Sequence, residues 1–132
     1  ETLQAIAKKS IKEVRYHKRF SSDWIKRLGD GTEESHTKMQ NAINDLWTFT
    51  DELFHQTDAD IAAVSAEIGV DVTKLKTPFY TKVNEILTEA TLEIPEMKYF
   101  QKGGKQGIHS EHMGYLLADL QYMQRTYPNM TW

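Results

Sequence analysis

The sequence contains no cysteine, and this absence excludes two kinds of structure. No disulfide can stabilise the fold, and any metal site must use His, Asp and Glu side chains. No apolar run reaches the about 18 residues that a membrane-spanning helix needs, and no signal-peptide pattern opens the chain. We therefore expect a cytoplasmic protein that makes no membrane contact.

Positive charge is also scarce over the chain as a whole. Sixteen Lys and Arg stand against nineteen Asp and Glu, so the net charge is -3 and the pI is near 6.0. Because nucleic-acid-binding proteins usually carry a basic surface, no nucleic-acid partner is predicted. The 132 residues suffice for one domain with a modest core. The chain opens at Glu1 within a helical pattern, which indicates a processed or truncated N-terminus.

Apolar residues recur at helical spacing throughout, and no strand pattern is present. Residues 1–55 predict a hairpin of two long helices around residues 29–31. Gly29 is expected to end the first helix in the left-handed conformation, and Asp30 to cap the second, with Glu33 completing a capping box. The second helix is expected to end near residues 55–56.

Residues 56–132 predict shorter helices and a loop. One helix is expected over residues 58–69, one begins at Thr77 with Pro78 as its first helical residue, and one starts at Ser110 and ends before Pro128. Residues 98–107, which contain three glycines, are expected to form a flexible loop. The whole chain, residues 1–132, is therefore predicted to be a single all-α domain or domain fragment.

Two long helices form only half of a four-helix bundle, so an apolar stripe is left uncovered. The short C-terminal helices, a second copy of the chain, or a missing N-terminal helix pair could cover it, and we favour the last two together. We expect the isolated chain to self-associate through Val14, Phe20, Trp24, Leu46 and Phe49. Large apolar groups near a chain end usually dock on another surface, which makes Tyr127 and Trp132 further interface candidates.

A metal site is the first chemical hypothesis, because Glu33 and His36 have the Glu-x-x-His spacing of di-iron helical bundles. Helical rise argues against it. Glu13 would lie roughly 25 Å from the turn at Asp30, but Glu33 only about 5 Å from it, so the two cannot share a metal. We interpret Glu33 mainly as a capping residue and disfavour Glu33 and His36 as ligands.

Asp45 is the residue expected at the level of Glu13, about 22 Å from the same turn. Thr48 stands three residues later, where a histidine ligand would be needed. We interpret Glu13, Asp45 and Thr48 as a vestigial metal site that holds no metal. Glu13 is expected to point into the bundle, and a nearby Lys or Arg is expected to neutralise both carboxylates.

The other histidines have simpler interpretations than metal binding. His17, four residues after Glu13, is expected to form a buried hydrogen bond with it. His109 and His112 flank Glu111, and a zinc site there is possible but disfavoured, since no other residue is indicated as a third ligand. No catalytic residue is predicted.

Several segments together resemble a known family: residues 12–17, 28–36, 45–47, 107–118, 127–128 and Trp132. They are similar to the C subunit of the multicomponent phenylacetyl-CoA epoxidase, also called ring-1,2-phenylacetyl-CoA oxygenase. The resemblance covers the whole chain but only about the C-terminal half of that family's usual subunit. It implies a ferritin-like helical bundle, of which the C-terminal helix pair and shorter helices are present here.

The resemblance also implies a function in aerobic phenylacetate catabolism. The chain would be a non-catalytic structural subunit without cofactors, paired with a homologous catalytic subunit that carries the di-iron centre. A separate reductase would supply electrons from NADPH. Two alternatives stay open, namely an autonomous di-iron or zinc enzyme of ferritin-like fold and a generic helical interaction module.

Overall fold

The structure, a computed structural model, describes residues 2–131, and in this part of the chain every regular element is helical. Its α-helices are α1 (Thr2–Gly29), α2 (Glu33–Leu46), α3 (Asp58–Ser65), α4 (Lys76–Glu89), α5 (His112–Leu120) and α6 (Tyr122–Thr126). Short 3-10 turns occupy Trp47–Phe49, Asp51–Phe54, Val72–Leu75 and Gly104–Gln106. The prediction of an all-α fold of the ferritin-like bundle type is confirmed. No helix among these residues is both long enough and apolar enough to cross a bilayer.

The first helix is confirmed, but the way in which it ends differs from the prediction. Gly29 is not left-handed; it is the last residue of α1, and it is buried. A Cβ atom built on Gly29 would lie 2.5 Å from the carbonyl oxygen of Ala90 and 2.7 Å from Leu92. Glycine is therefore needed here for the close approach of two chain segments, rather than for its conformational freedom.

The predicted cap of the second helix is wrong by two residues. Thr32, not Asp30, is the N-cap of α2, and its hydroxyl accepts a hydrogen bond from the backbone N–H of Ser35. Glu33 is consequently the first residue of the helix and not the capping-box acid. Its carboxylate still lies at the positive end of the helix dipole, where a negative charge is favourable.

The regular second helix is also shorter than predicted. α2 ends at Leu46, and two 3-10 turns carry the chain on to Phe54. The hydroxyl of Thr50 donates to the carbonyl of Trp47 at 2.8 Å, and the backbone N–H of Thr50 bonds the same carbonyl at 3.1 Å. Such local hydrogen bonds compete with the α-helical pattern and favour the tighter 3-10 turns that follow Leu46.

The helices beyond the hairpin differ from the predictions mainly at their ends. α3 stops at Ser65, four residues before the predicted end at Gly69, and Glu67 after it has a left-handed backbone with φ of 57°. α4 begins at Lys76, directly after a 3-10 turn, so Pro78 is its third residue and not its first. The predicted C-terminal helix begins two residues late, at His112, and is divided at Gln121 into α5 and α6.

The core lies where α2 and α4 pack beside the C-terminal third of α1. Trp47, Leu87, Ala90 and Leu92 are buried at its centre, and half-buried apolar groups surround them: Ile25, Met39, Ile43, Tyr80, Val83, Met97 and Phe100. Lys26 of α1 forms an ion pair with Glu89 at the end of α4, at 2.5 Å. Residues 2–21 of α1 are all exposed, so only one end of this long helix belongs to the core.

Candidate functional site

The apolar face predicted for the hairpin is exposed. The exposed fractions are 60% for Val14, 52% for Phe20, 45% for Trp24, 63% for Leu46 and 50% for Phe49. On α1 the aromatic rings contact one another: Tyr16 stacks on Phe20, and Phe20 meets Trp24 edge-on with 6.2 Å between ring centroids. We name the five predicted residues the open face. Large apolar groups exposed in this number are typical of an interaction surface.

The total surface area supports the same interpretation. The chain exposes 10988 Å². A compact folded monomer of 15.3 kDa is expected to expose only about 7,100 Å². The difference, roughly 3,800 Å², exceeds the about 800 Å² that each partner buries in an ordinary protein complex. The chain therefore exposes far more surface than a compact monomer of its mass.

Tyr127, another interface candidate, follows α6 and is half exposed. It belongs to a C-terminal segment, residues 112–127, in which most large apolar groups are exposed: Tyr115, Leu116, Leu117, Leu120, Tyr122 and Met123. Trp132, the last of the predicted interface residues, lies outside the described residues. The C-terminal segment is thus a second apolar surface besides the open face.

The structure does not place Glu13 in the bundle interior. Glu13 and Asp45 are both exposed, and in the described part of the chain neither takes part in an ion pair. The expected hydrogen bond between Glu13 and His17 is also absent from residues 2–131, and His17 is exposed. The reason is helix length: α1 has 28 residues and α2 only 14, so the half of α1 that carries Glu13 is not enclosed.

The carboxylate and imidazole groups do not converge anywhere in residues 2–131. No three His, Asp or Glu side chains lie close enough together there to hold one metal ion. His109 and His112 line an open cleft together with Phe49, Ile108 and Leu116. The interpretation of Glu13, Asp45 and Thr48 as remnants of a metal site therefore stays a prediction.

His36 has a structural contact that its Glu-x-x-His spacing did not indicate. Its Nδ1–H donates a hydrogen bond to the carbonyl of Gly29 at 2.7 Å, and the hydroxyl of Thr91 donates to the same oxygen at 3.3 Å. The last carbonyls of a helix have no partner within the helix itself. His36 and Thr91 thus tie the end of α1 to α2 and to the residues after α4.

Thr48, the position where a ligand histidine would be needed, anchors a neighbouring segment. Its hydroxyl donates to the carbonyl of Tyr99 at 3.2 Å and accepts from the N–H of Gln101 at 3.2 Å. The carbonyl of Thr48 accepts from the same N–H at 2.9 Å. Gln40 of α2 makes a similar pair of bonds, donating to the carbonyl of Glu93 at 3.0 Å and accepting from its N–H at 2.9 Å. Residues 93–101 are thereby held along the hairpin.

Glu52 was missed by sequence reasoning, yet it organises the glycine-containing loop. One of its carboxylate oxygens accepts hydrogen bonds from the backbone N–H groups of Gly103 and Lys105, both at 3.0 Å. The bond from Lys105 is the largest cause that lowers the pKa of Glu52, and the N–H groups of Gly104 and Gly103 lower it further. Successive N–H groups around one anion form a nest, for which Gly103 supplies the positive φ of 98°.

Lys105 extends this arrangement to α3. Its ammonium group donates to the carbonyl of His55 at 2.6 Å and lies 3.8 Å from Asp60. Asp60 completes a capping box with Thr57, and the backbone bond from Thr57 is the main cause of its lowered pKa. The loop predicted to be flexible is therefore held in place by Glu52, which binds its backbone, and by Lys105, which binds His55 and lies near Asp60. In the sequence its three glycines indicated only mobility, because the residues that bind the loop are far away along the chain.

Comparison with known proteins gives matches along the whole chain. The family described as phenylacetic acid catabolic protein matches residues 1–132. The chain is 48% identical over 130 residues to the C subunit of the 1,2-phenylacetyl-CoA epoxidase of Escherichia coli (strain K12). The match covers 98% of this chain and 52% of that protein, so the chain spans about half the length of this relative. Because the family match extends over every residue, the chain belongs to the phenylacetic acid catabolic protein family.

Proposed function

We propose that the chain is a non-catalytic structural part of a multicomponent di-iron oxygenase that epoxidises phenylacetyl-CoA in aerobic phenylacetate catabolism. Its partner is a homologous catalytic subunit that carries the di-iron centre, while a separate reductase supplies electrons from NADPH. The assembly works in the cytoplasm. The chain contributes a rigid helical surface and no cofactor.

The observation that carries the proposal is the uncovered surface of the hairpin in a chain with this relative. The open face and the roughly 3,800 Å² of surplus surface favour a permanent partner over a transient one. The identity of 48% with a named epoxidase subunit indicates which kind of assembly supplies that partner. Thr48 and His36, two positions of interest for metal binding, are engaged in hydrogen bonds to the backbone.

A chimera tests the proposal in a living cell. The half of the E. coli relative that matches this chain is replaced by residues 1–132, and the chimera is expressed in an E. coli strain from which the gene for that relative has been deleted. Growth on phenylacetate as carbon source is expected to return, because the substituted half would form the same contacts. A chimera that accumulates in soluble form but restores neither growth nor epoxidase activity contradicts the proposal.

Metal analysis separates the proposal from an autonomous metalloenzyme. The purified chain is expected to contain iron and zinc far below one atom per chain, and His36→Ala is expected to leave that content unchanged. Near-stoichiometric metal that is lost in His36→Ala overturns the structural function. A generic interaction module would instead show no affinity for the catalytic subunit in a pull-down experiment.

A further inference from the structure

The charge of α1 is opposite to that of the rest of the chain. Residues 2–29 contain eight Lys and Arg against two Asp and Glu, a net charge of +6. Residues 30–132 contain eight Lys and Arg against sixteen Asp and Glu, a net charge of -8. The overall value of -3 therefore hides a strongly basic helix attached to an acidic body.

Four of the basic side chains form one continuous stripe. Lys8, Lys12, Arg15 and Arg19 follow one another at intervals of four, three and four residues, so they lie along a single side of α1. All four are exposed. We name these four residues the basic stripe. The apolar residues Leu3, Val14 and Trp24 lie on the other side of the helix.

The basic stripe contributes nothing visible to the fold. Within residues 2–131 none of its members forms an ion pair, whereas Lys26 on the same helix pairs with Glu89 of α4. Arg19 lies over the Tyr16 ring in a cation–π arrangement, at 5.8 Å from the centroid. Like charges four residues apart, such as Lys8 with Lys12 and Arg15 with Arg19, destabilise a helix. The basic stripe thus costs helix stability and has no acidic partner within the described residues. This arrangement favours an acidic group on another molecule as its partner.

We infer that the basic stripe is a docking surface for an acidic protein surface, separate from the open face. Complementary charge steers two proteins together and fixes their register. A partner with a row of carboxylates over about 16 Å, the length from Lys8 to Arg19, would match it. An extended polyanion such as a membrane surface or duplex DNA would also meet the body of the chain, whose net charge is -8 and which repels it. The inference does not depend on the proposed function.

The test uses the full chain and a designed helical peptide that carries glutamates at intervals of four, three and four residues. A scrambled peptide of equal composition, with the glutamates spread around the helix, serves as the control ligand. Fluorescence anisotropy is expected to show binding of the striped peptide at low salt. Affinity is expected to fall at least about tenfold at an ionic strength of about 0.15 M, where the screening length is about 8 Å.

Variants with matched charge locate the surface. Replacing Lys8, Lys12, Arg15 and Arg19 by glutamine, a residue of similar helix propensity, is expected to weaken binding at least about tenfold. The control variant replaces four exposed lysines elsewhere by glutamine, so that the net charge changes equally: Lys38, Lys74, Lys98 and Lys102. It is expected to bind within about threefold of the native chain.

Three outcomes overturn the inference. One is an equal loss of affinity in the two variants, and another is equal binding of the striped and scrambled peptides. The third is tighter, stripe-dependent binding of anionic phosphatidylglycerol vesicles or duplex DNA than of the peptide. Should the stripe variant lose its helical circular dichroism, a variant with only Lys12 and Arg15 replaced by glutamine takes its place, compared with a control in which only Lys38 and Lys74 are replaced.

Discussion

At the scale of single residues, Thr48 holds residues 99–101 against the hairpin through its hydroxyl. Thr48→Val keeps the shape of the side chain but removes the two hydrogen bonds of its hydroxyl, to the carbonyl of Tyr99 and from the N–H of Gln101. We expect a loss of about 0.5–1.5 kcal/mol in the free energy of unfolding, measured by urea denaturation. Thr48→Ser, which retains the hydroxyl, is expected to lose less. Equal free energies of unfolding for the native protein and Thr48→Val would show that the hydroxyl contributes nothing to stability.

Glu52 makes the stability of the loop depend on pH. Its folded-state pKa is lowered, chiefly by the hydrogen bond from Lys105, below its ordinary value of 4.5. The ionised group therefore stabilises the fold above pH 4.5, and this contribution is lost as the pH falls through the lower folded-state pKa. In Glu52→Gln we expect faster hydrogen exchange of the Gly103 and Lys105 amides at neutral pH than in the native protein. The protection of these amides should also depend less on pH than it does in the native protein. The exposed Glu96→Gln is the control, and identical exchange in both variants would contradict the assignment.

Sequence reasoning found several important residues but not their partners. The spacing of Glu33 and His36 is that of metal ligands, whereas His36 in the structure donates a hydrogen bond to the carbonyl of Gly29. The role of Glu52 could not be predicted, because its hydrogen-bond donors are backbone N–H groups about fifty residues away along the chain. Every residue type except proline carries such a group, so the sequence does not mark them. Gly29 was recognised as important, but the close approach of Ala90 that requires it depends on tertiary packing.

At the scale of elements, the open face, of which α1 supplies three residues, is expected to cause self-association. The isolated chain at micromolar concentration should form dimers or larger species in light scattering, since apolar groups such as Phe20 and Trp24 are about half exposed. Replacing both by glutamine should shift the population towards monomer. The control replaces Ile68 and Val70, which are even more exposed, at 69% and 67%, and should leave association unchanged. A native chain that is monomeric and unfolds cooperatively would contradict the expectation.

The elements themselves were largely predictable, because each long helix repeats its apolar pattern over several turns. The positions where the helices begin and end were less predictable. Both Asp30 and Thr32 are suitable N-caps by residue type, and only the path of the turn selects Thr32. The second helix continues its apolar pattern beyond Leu46, but the hydroxyl of Thr50 redirects the local hydrogen bonds. The predicted burial of Glu13 is wrong because the second helix, expected to reach residues 55–56, ends at Leu46 and leaves the first half of α1 uncovered.

At the scale of the whole molecule, stability is expected to depend on concentration. Association that buries the open face stabilises only the folded chain, so Tm should rise as protein concentration rises. Thermal unfolding followed by circular dichroism over a hundredfold range of concentration measures this. The variant with glutamine at positions 20 and 24 should show a nearly constant Tm. A native Tm that does not change with concentration would indicate that the open face does not drive association.

The surplus surface also has a consequence for how such a chain persists in a cell. Roughly 3,800 Å² beyond that of a compact protein includes large apolar groups that chaperones and proteases bind in unassembled proteins. Under the proposed function, a chain synthesised in excess over its partner would be removed, while an assembled chain would be protected. Its abundance would then follow the supply of the partner, and the stoichiometry of the assembly would be maintained by turnover as well as by synthesis.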